Sequence, residues 1–187
     1  EKLFQEICEE IGMPMAYILQ DGNWISSKFS EKFLQRLKET TGVKNIAELV
    51  AVYNIHPDSI NPFEYAIIKA VPPLVFMLIF TFEARKVNRQ SIYKLASLRL
   101  GKLNITLEPI DKKFPHSKDV CLNALGTFKS LPKVYKFDWL NVKEATCIHN
   151  GDARCSFQIE YSRKKVYAKL IAFFSTAIAL FKVLFDF

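Results

Sequence analysis

One stretch, Thr146 to Phe157, limits what this chain can fold into more than any other. It reads TCIHNGDARCSF, with Cys147 and Cys155 equally far from Gly151. Asn, Gly and Asp tolerate the positive φ that a tight reversal needs, so the chain is expected to turn back on itself there. An antiparallel ribbon centred on Gly151 sets Cys147 opposite Cys155, Ala145 opposite Phe157 and Lys143 opposite Ile159. Side chains alternate along a strand, which puts the cysteines, Ala145, Phe157, Ile159 and Tyr161 on one face. Thr146, Ser156, Glu144, Gln158 and Glu160 fall on the other. The pattern describes a sheet with one buried side and two sulfurs on it.

The segments upstream supply the covering layer. Leu3, Phe4, Ile7, Cys8 and Ile11 recur at helical spacing and stop at Gly12 and Pro14. Ala16 to Leu19 reads as a brief strand, followed by a DGNW turn containing Trp24. Ser26 or Ser27 can cap a helix carrying Phe29, Phe33, Leu34 and Leu37, which ends at Thr41 and Gly42. A shorter helix is expected over Ile46 to Tyr53. Asn61 before Pro62 starts the next one, running to Ala70. Pro72 and Pro73 then open LVFMLIFTFEARK, which is apolar all round for about two turns and belongs in a core or a cavity wall.

From Ile92 the period becomes two. SIYKLASLRL, a turn at Gly101-Lys102 and LNITLEP make a hairpin with Leu103, Ile105 and Leu107 on one face. A helix from about Ser117 carries Cys121, Ala124, Leu125 and Phe128 in one stripe. The order is helices, strand pair, helix, strand pair. That order predicts an α+β domain over residues 1–162, an antiparallel sheet covered on one side by helices.

The tail differs in kind. After Arg163, Lys164 and Lys165, low-polarity sequence runs from Leu170 to Phe181 between Lys169 and Lys182. Twelve residues of helix cover about 18 Å, less than the roughly 30 Å of a bilayer core. Counted from Val166 to Phe187, with lysines that can snorkel, the segment is long enough to cross. Residues 163–187 are therefore read either as a membrane-attached helix or as a packed, dimerising one. If the helix crosses, the basic cluster puts the preceding domain on the cytoplasmic side of the inner membrane.

Composition narrows the function. The chain has 187 residues, 16 of them Phe, and a net charge of +7. Its lysines are interspersed with acids, so nucleic acid is not an expected partner. Four cysteines with no export signal ahead of them do not make a secreted disulfide framework. No phosphate-binding loop, paired acids or Ser/His/Asp arrangement stands out, so this region is not expected to be an enzyme.

NWISSKFSEKFLQRLKETTG, the double proline before a helix, DVCLNALGTFKSLP and above all CIHNGDARCSFQIEY resemble the N-terminal sensory domain of bacterial and archaeal histidine kinases. That domain is similar to the vinyl-reductase-type small-molecule-binding domain. The resemblance covers roughly residues 1–162 and maps onto Cys121, Cys147, Gly151, Asp152 and Cys155. It implies a ligand-binding module that dimerises and signals to an output domain. The apolar double-proline helix suits a small apolar ligand, walled by Phe76, Phe80, Cys121, Leu125, Cys147, Cys155 and Phe157. Haem-sensing relatives need an axial histidine and a Tyr-x-Ser-x-Arg run. Tyr161-Ser162-Arg163 lacks that spacing, so haem is not expected.

Three readings of the thiols stand open: buried apolar lining, a redox pair, or a zinc site in which His149 completes Cys121, Cys147 and Cys155. His56 and His116, each beside a proline, read as turn residues. A scaffold of the same fold with a filled interior is the alternative to a sensor.

Overall fold

The computed structural model describes residues 2–20, 25–88, 90–113, 115–136 and 139–185. Four short or medium helices lead: α1 (Lys2–Ile11), α2 (Met15–Leu19), α3 (Ser27–Thr41) and α4 (Ile46–Val50). The proline-initiated helices α5 (Pro62–Ala70) and α6 (Pro73–Val87) follow. Next come β1 (Ser91–Arg99), β2 (Lys102–Pro109), α7 (Lys118–Tyr135), β3 (Trp139–Thr146), β4 (Cys155–Tyr161) and α8 (Arg163–Phe185). The sheet is antiparallel throughout, in the order β1-β2-β4-β3, so the chain is α+β as expected.

Local chemistry explains the helix ends. The Ser26 hydroxyl accepts from the Phe29 N–H, Asn61 accepts from the Phe63 N–H, and Gly42 closes α3 in the left-handed region. The inner face of the sheet, with Leu103, Ile105, Leu107, Phe157 and Ile159, is wholly buried against Met77 of α6 and Cys121, Ala124, Phe128 and Leu131 of α7. Helix α4 lies against α7 where Gly126 has no side chain. A Cβ there would sit 2.2 Å from the Glu48 carbonyl oxygen, so only glycine permits the approach.

Four expectations need correction. Residues 15–19 form helix α2 where a strand was expected, and the helix near Ile46 ends at Val50, with a separate 3-10 turn at Tyr53–Ile55. The first hairpin turns on Leu100 and Gly101, one residue earlier than the Gly101-Lys102 reading, because Arg99 pairs with Lys102. The most consequential is in the second hairpin. Thr146 does lie opposite Ser156, but a bulge then shifts the register, so Glu144 and not Ala145 faces Phe157, and Val142 rather than Lys143 faces Ile159. Ala145 is exposed and Glu144 is turned toward the core side. The DGNW turn and Trp24 lie outside the described residues. Among the described residues, no helix is long and apolar enough to cross a membrane.

Candidate metal centre

Three elements bring four side chains to one buried point. Helix α7 contributes Cys121 from its first turn, β4 contributes Cys155 at its start, and β3 contributes Glu144 near its end with Cys147 just beyond it. All three cysteines are free and fully buried. The sulfurs are 3.1 Å (Cys121 to Cys155), 3.8 Å (Cys155 to Cys147) and 4.0 Å (Cys147 to Cys121) apart. A zinc ion bound tetrahedrally to sulfur at about 2.3 Å needs sulfurs about 3.8 Å apart, so the triangle is already of ligand-set size. One ligand atom from each of Cys121, Glu144, Cys147 and Cys155 lies within 4.8 Å of every other.

Glu144 is the member that sequence reasoning placed on the wrong face. Its Oε2 accepts from Lys118 Nζ at 2.7 Å, whereas its Oε1 is buried with no hydrogen-bond partner in the described structure. A buried carboxylate oxygen left unpaired is costly, and a metal ion at the sulfur triangle would satisfy it. His116, expected in a turn, is also buried here. Its Nδ1 is hydrogen-bonded with the Ser91 hydroxyl at 2.8 Å, and its Nε2 lies 3.3 Å from the Cys121 sulfur and 3.5 Å from that of Cys155. The Ser91 bond fixes the ring and aims Nε2 at the sulfurs. His149, the expected fourth ligand, is exposed in the turn. Its ring is 6.1 Å from that of His116, and it shares a second, smaller donor cluster with His116 and Cys121.

The electrostatics favour one anionic sulfur, that of Cys155. The hydrogen bond from the Cys121 thiol holds the Cys155 thiol down to about 4 against the opposing effect of burial, with His116 and the Ile148 N–H helping. Donating that bond, together with burial, pushes Cys121 up, so the pair holds one proton between them. Burial raises Cys147 as well. Burial alone would lower Lys118, but hydrogen bonds to Glu144 and to the Cys147 sulfur, at 3.1 Å, outweigh it and leave the ammonium reinforced. Three sulfurs, a carboxylate and one adjoining cation form a donor set suited to a single thiophilic divalent ion.

The other residues named for the ligand wall occupy the core beside this centre. Phe157 and Phe128 are fully buried, and Phe76, Phe80 and Leu125 are partly buried against them. Phe76, Phe80, Tyr93, Phe128 and Phe157 form a continuous aromatic cluster, with centroid separations of 5.2 to 6.3 Å. Burial raises the Tyr93 hydroxyl above its ordinary range. A cavity of about 540 Å³ lies elsewhere, between the α5–α6 corner and α8.

No protein-family model and no curated protein matches the chain. Solved structures do. An H-NOX protein from S. oneidensis in an iron(II)–nitric oxide state is 10% identical with a TM-score of 0.65, over 86% of this chain and 89% of that one. An oxygen-binding H-NOX domain related to soluble guanylate cyclases is 13% identical with a TM-score of 0.64, over 86% and 85%. A structure described by haem redox potential and porphyrin distortion is 13% identical with a TM-score of 0.66, over 86% and 85%. These solved neighbours overturn the argument against haem, which rested on one missing run of residues: proteins with this fold carry it. Among the described residues, His116 and the buried cysteines are the side chains that would hold a haem iron in this region. At these identities the likeness is one of fold, that of the H-NOX domain.

Proposed function

We propose that this region is a sensory ligand-binding domain in which one zinc ion, held by Cys121, Cys147, Cys155 and Glu144, ties α7 to the β3–β4 hairpin. The observation that carries the reading is the convergence of those four side chains, from separate elements, around an unpaired buried carboxylate oxygen. A small, largely apolar ligand seated against Phe76, Phe80, Leu125 and Phe157 would favour one arrangement of helices on the sheet over another. Only Ser162 separates β4 from α8, and the Tyr161 hydroxyl donates to the Arg99 carbonyl. A shift of the hairpin is therefore passed directly to the exit helix.

The vinyl-reductase-type resemblance supports a finer assignment, the dimeric input domain of a histidine kinase, while the basic and apolar tail supports attachment at the cytoplasmic side of a membrane and the interspersed lysines and acids leave nucleic acid no role. The test is native mass spectrometry of purified protein against fatty acids, hydrocarbons and zinc, with hydrogen exchange followed along α8. Retention of one zinc and of an apolar ligand, with altered exchange in α8, is expected. Protein that keeps neither would instead be the scaffold with a filled interior.

A second reading follows from the fold of the solved neighbours, a haem-bound gas sensor. Reconstitution with haem and a visible spectrum under nitric oxide decides it. A Soret band that shifts with gas and is lost in His116→Ala or Cys155→Ser supports it. Unchanged free-haem absorbance removes it.

A further inference from the structure

Helix α8 leaves a row of large apolar side chains more than half exposed among the described residues. Ile171, Phe174, Ile178 and Phe181 are 68, 53, 60 and 62% exposed. At about 100° per residue these four share an arc of roughly 80° on one side of the helix. The opposite side, with Lys169, Ala172, Phe173, Thr176, Ala177 and Leu180, faces the cavity beside the α5–α6 corner. That side is not fully covered either, since Leu180 is 58% exposed, and the arc is the part of α8 turned furthest from the domain.

Charge singles out the partner. Residues 163–185 include Arg163, Lys164, Lys165, Lys169 and Lys182 and not one Asp or Glu. On the same helical projection Arg163 falls within the apolar arc, and Lys164 and Lys182 lie about 20° beyond its edge, one near each end. An apolar strip with cations at both ends on the same side matches a surface that is anionic outside and hydrocarbon beneath. The lysine stems can lie along the acyl boundary while their heads reach the phosphates.

Length decides between lying on a bilayer and crossing it. The first turns of α8 belong to the domain: Val166 is fully buried, Leu170 packs on the core, and Lys169 Nζ donates to the Lys136 carbonyl. The remainder of α8, from Ile171 to Phe185, spans about 22 Å against roughly 30 Å of hydrocarbon. We infer that the outer face of α8 docks in the plane of an anionic lipid bilayer, held there by Ile171, Phe174, Ile178 and Phe181 and flanked by Arg163, Lys164 and Lys182. The inference deepens the membrane attachment proposed above and uses no residue of the metal centre, so either can fail without the other.

The experiment is flotation of the whole chain with vesicles of phosphatidylcholine alone or mixed with phosphatidylglycerol, at low and high salt. Binding to the mixed vesicles at least ten-fold above the neutral ones, reduced by salt, is expected. It should be lost in Phe174→Asp/Ile178→Asp and weakened several-fold in Lys164→Gln/Lys182→Gln. Circular dichroism establishes that each variant is folded, and carbonate extraction should strip the bound protein. Equal binding to neutral vesicles, or resistance to carbonate, would overturn the in-plane anionic surface. So would light scattering that shows a dimer dissolved by Phe174→Asp/Ile178→Asp with no vesicle binding, which gives the face to a second copy.

Discussion

The sulfur centre and the outer face of α8 depart from the ordinary partition of side chains in opposite directions. At the first, thiols, a carboxylate oxygen and an imidazole are taken out of water, and an ammonium reaches in beside them. At the second, large apolar side chains are left in it. Elsewhere the chain keeps the usual rule, with Phe128, Phe157 and Ile159 inside and the ion pairs Lys94–Glu108 and Lys102–Glu160 on the open face of the sheet. Each departure is costly for the isolated chain, and each would be relieved by the partner proposed for it, a metal ion in one case and a lipid surface in the other. Buried polar groups and exposed apolar ones are informative for the same reason: the fold does not need them where they are.

The contrast is broken most forcefully at the metal. Saturating zinc should stabilise the chelator-treated protein by about 4 kcal/mol when free metal is a thousand-fold above its Kd, read as a rise in the urea midpoint. Cys155→Ser should abolish that gain. Zinc that leaves the midpoint unmoved would mean the thiols are only core. Next in size is Lys118→Met, which leaves Glu144 Oε2 and the Cys147 sulfur without their cation. Zinc affinity should fall by about 10- to 100-fold, as for other outer-shell partners, in a competition titration against a chromogenic chelator.

In the metal-free protein the thiols set a pH dependence. The folded value of Cys155 is depressed, so its contribution is present above the ordinary thiol range and lost as pH falls toward about 4. Cys121 is raised, so its contribution is present below that range and lost above it. Stability in EDTA should therefore rise with pH from the acid side to about pH 8.5 and fall beyond it. Cys155→Ser should flatten the acid limb, and urea titrations from pH 5 to 10 check it. The smallest effect belongs to the other region. Phe174→Asp/Ile178→Asp should change stability in water by no more than about 0.5 kcal/mol per site, because those side chains touch no core. A large loss on thermal melting would mean that the face is covered in solution.

The broad design was legible in the sequence because it is written in local chemistry. Period-two runs, the Asn150-Gly151 reversal and proline-started helices each act over a few residues, and together they fix the sheet, its covering and the meeting of three sulfurs. What escaped was non-local or depended on one irregular residue. The bulge near Ala145 adds one position to β3, and no alternation of apolar and polar residues announces it, so Glu144 was assigned to the solvent face. A carboxylate three residues before a buried cysteine was the available clue. His116 looked like a turn residue because it follows Pro115, and only the packing of Ser91 beside it in space shows why its ring is held against the sulfurs. Met15 to Leu19 is apolar enough for either period, and the Pro14 carbonyl tipped it to a helical turn by accepting from Tyr17 and Ile18.

The most direct measurement is the metal content of the purified chain, by elemental analysis paired with native mass spectrometry and thiol titration. One zinc per chain, with Cys121, Cys147 and Cys155 unreactive until it is chelated and with the metal lost in Glu144→Ala, is the predicted result. A metal-free protein whose three thiols react freely, and whose stability and mass are indifferent to added zinc, would contradict it.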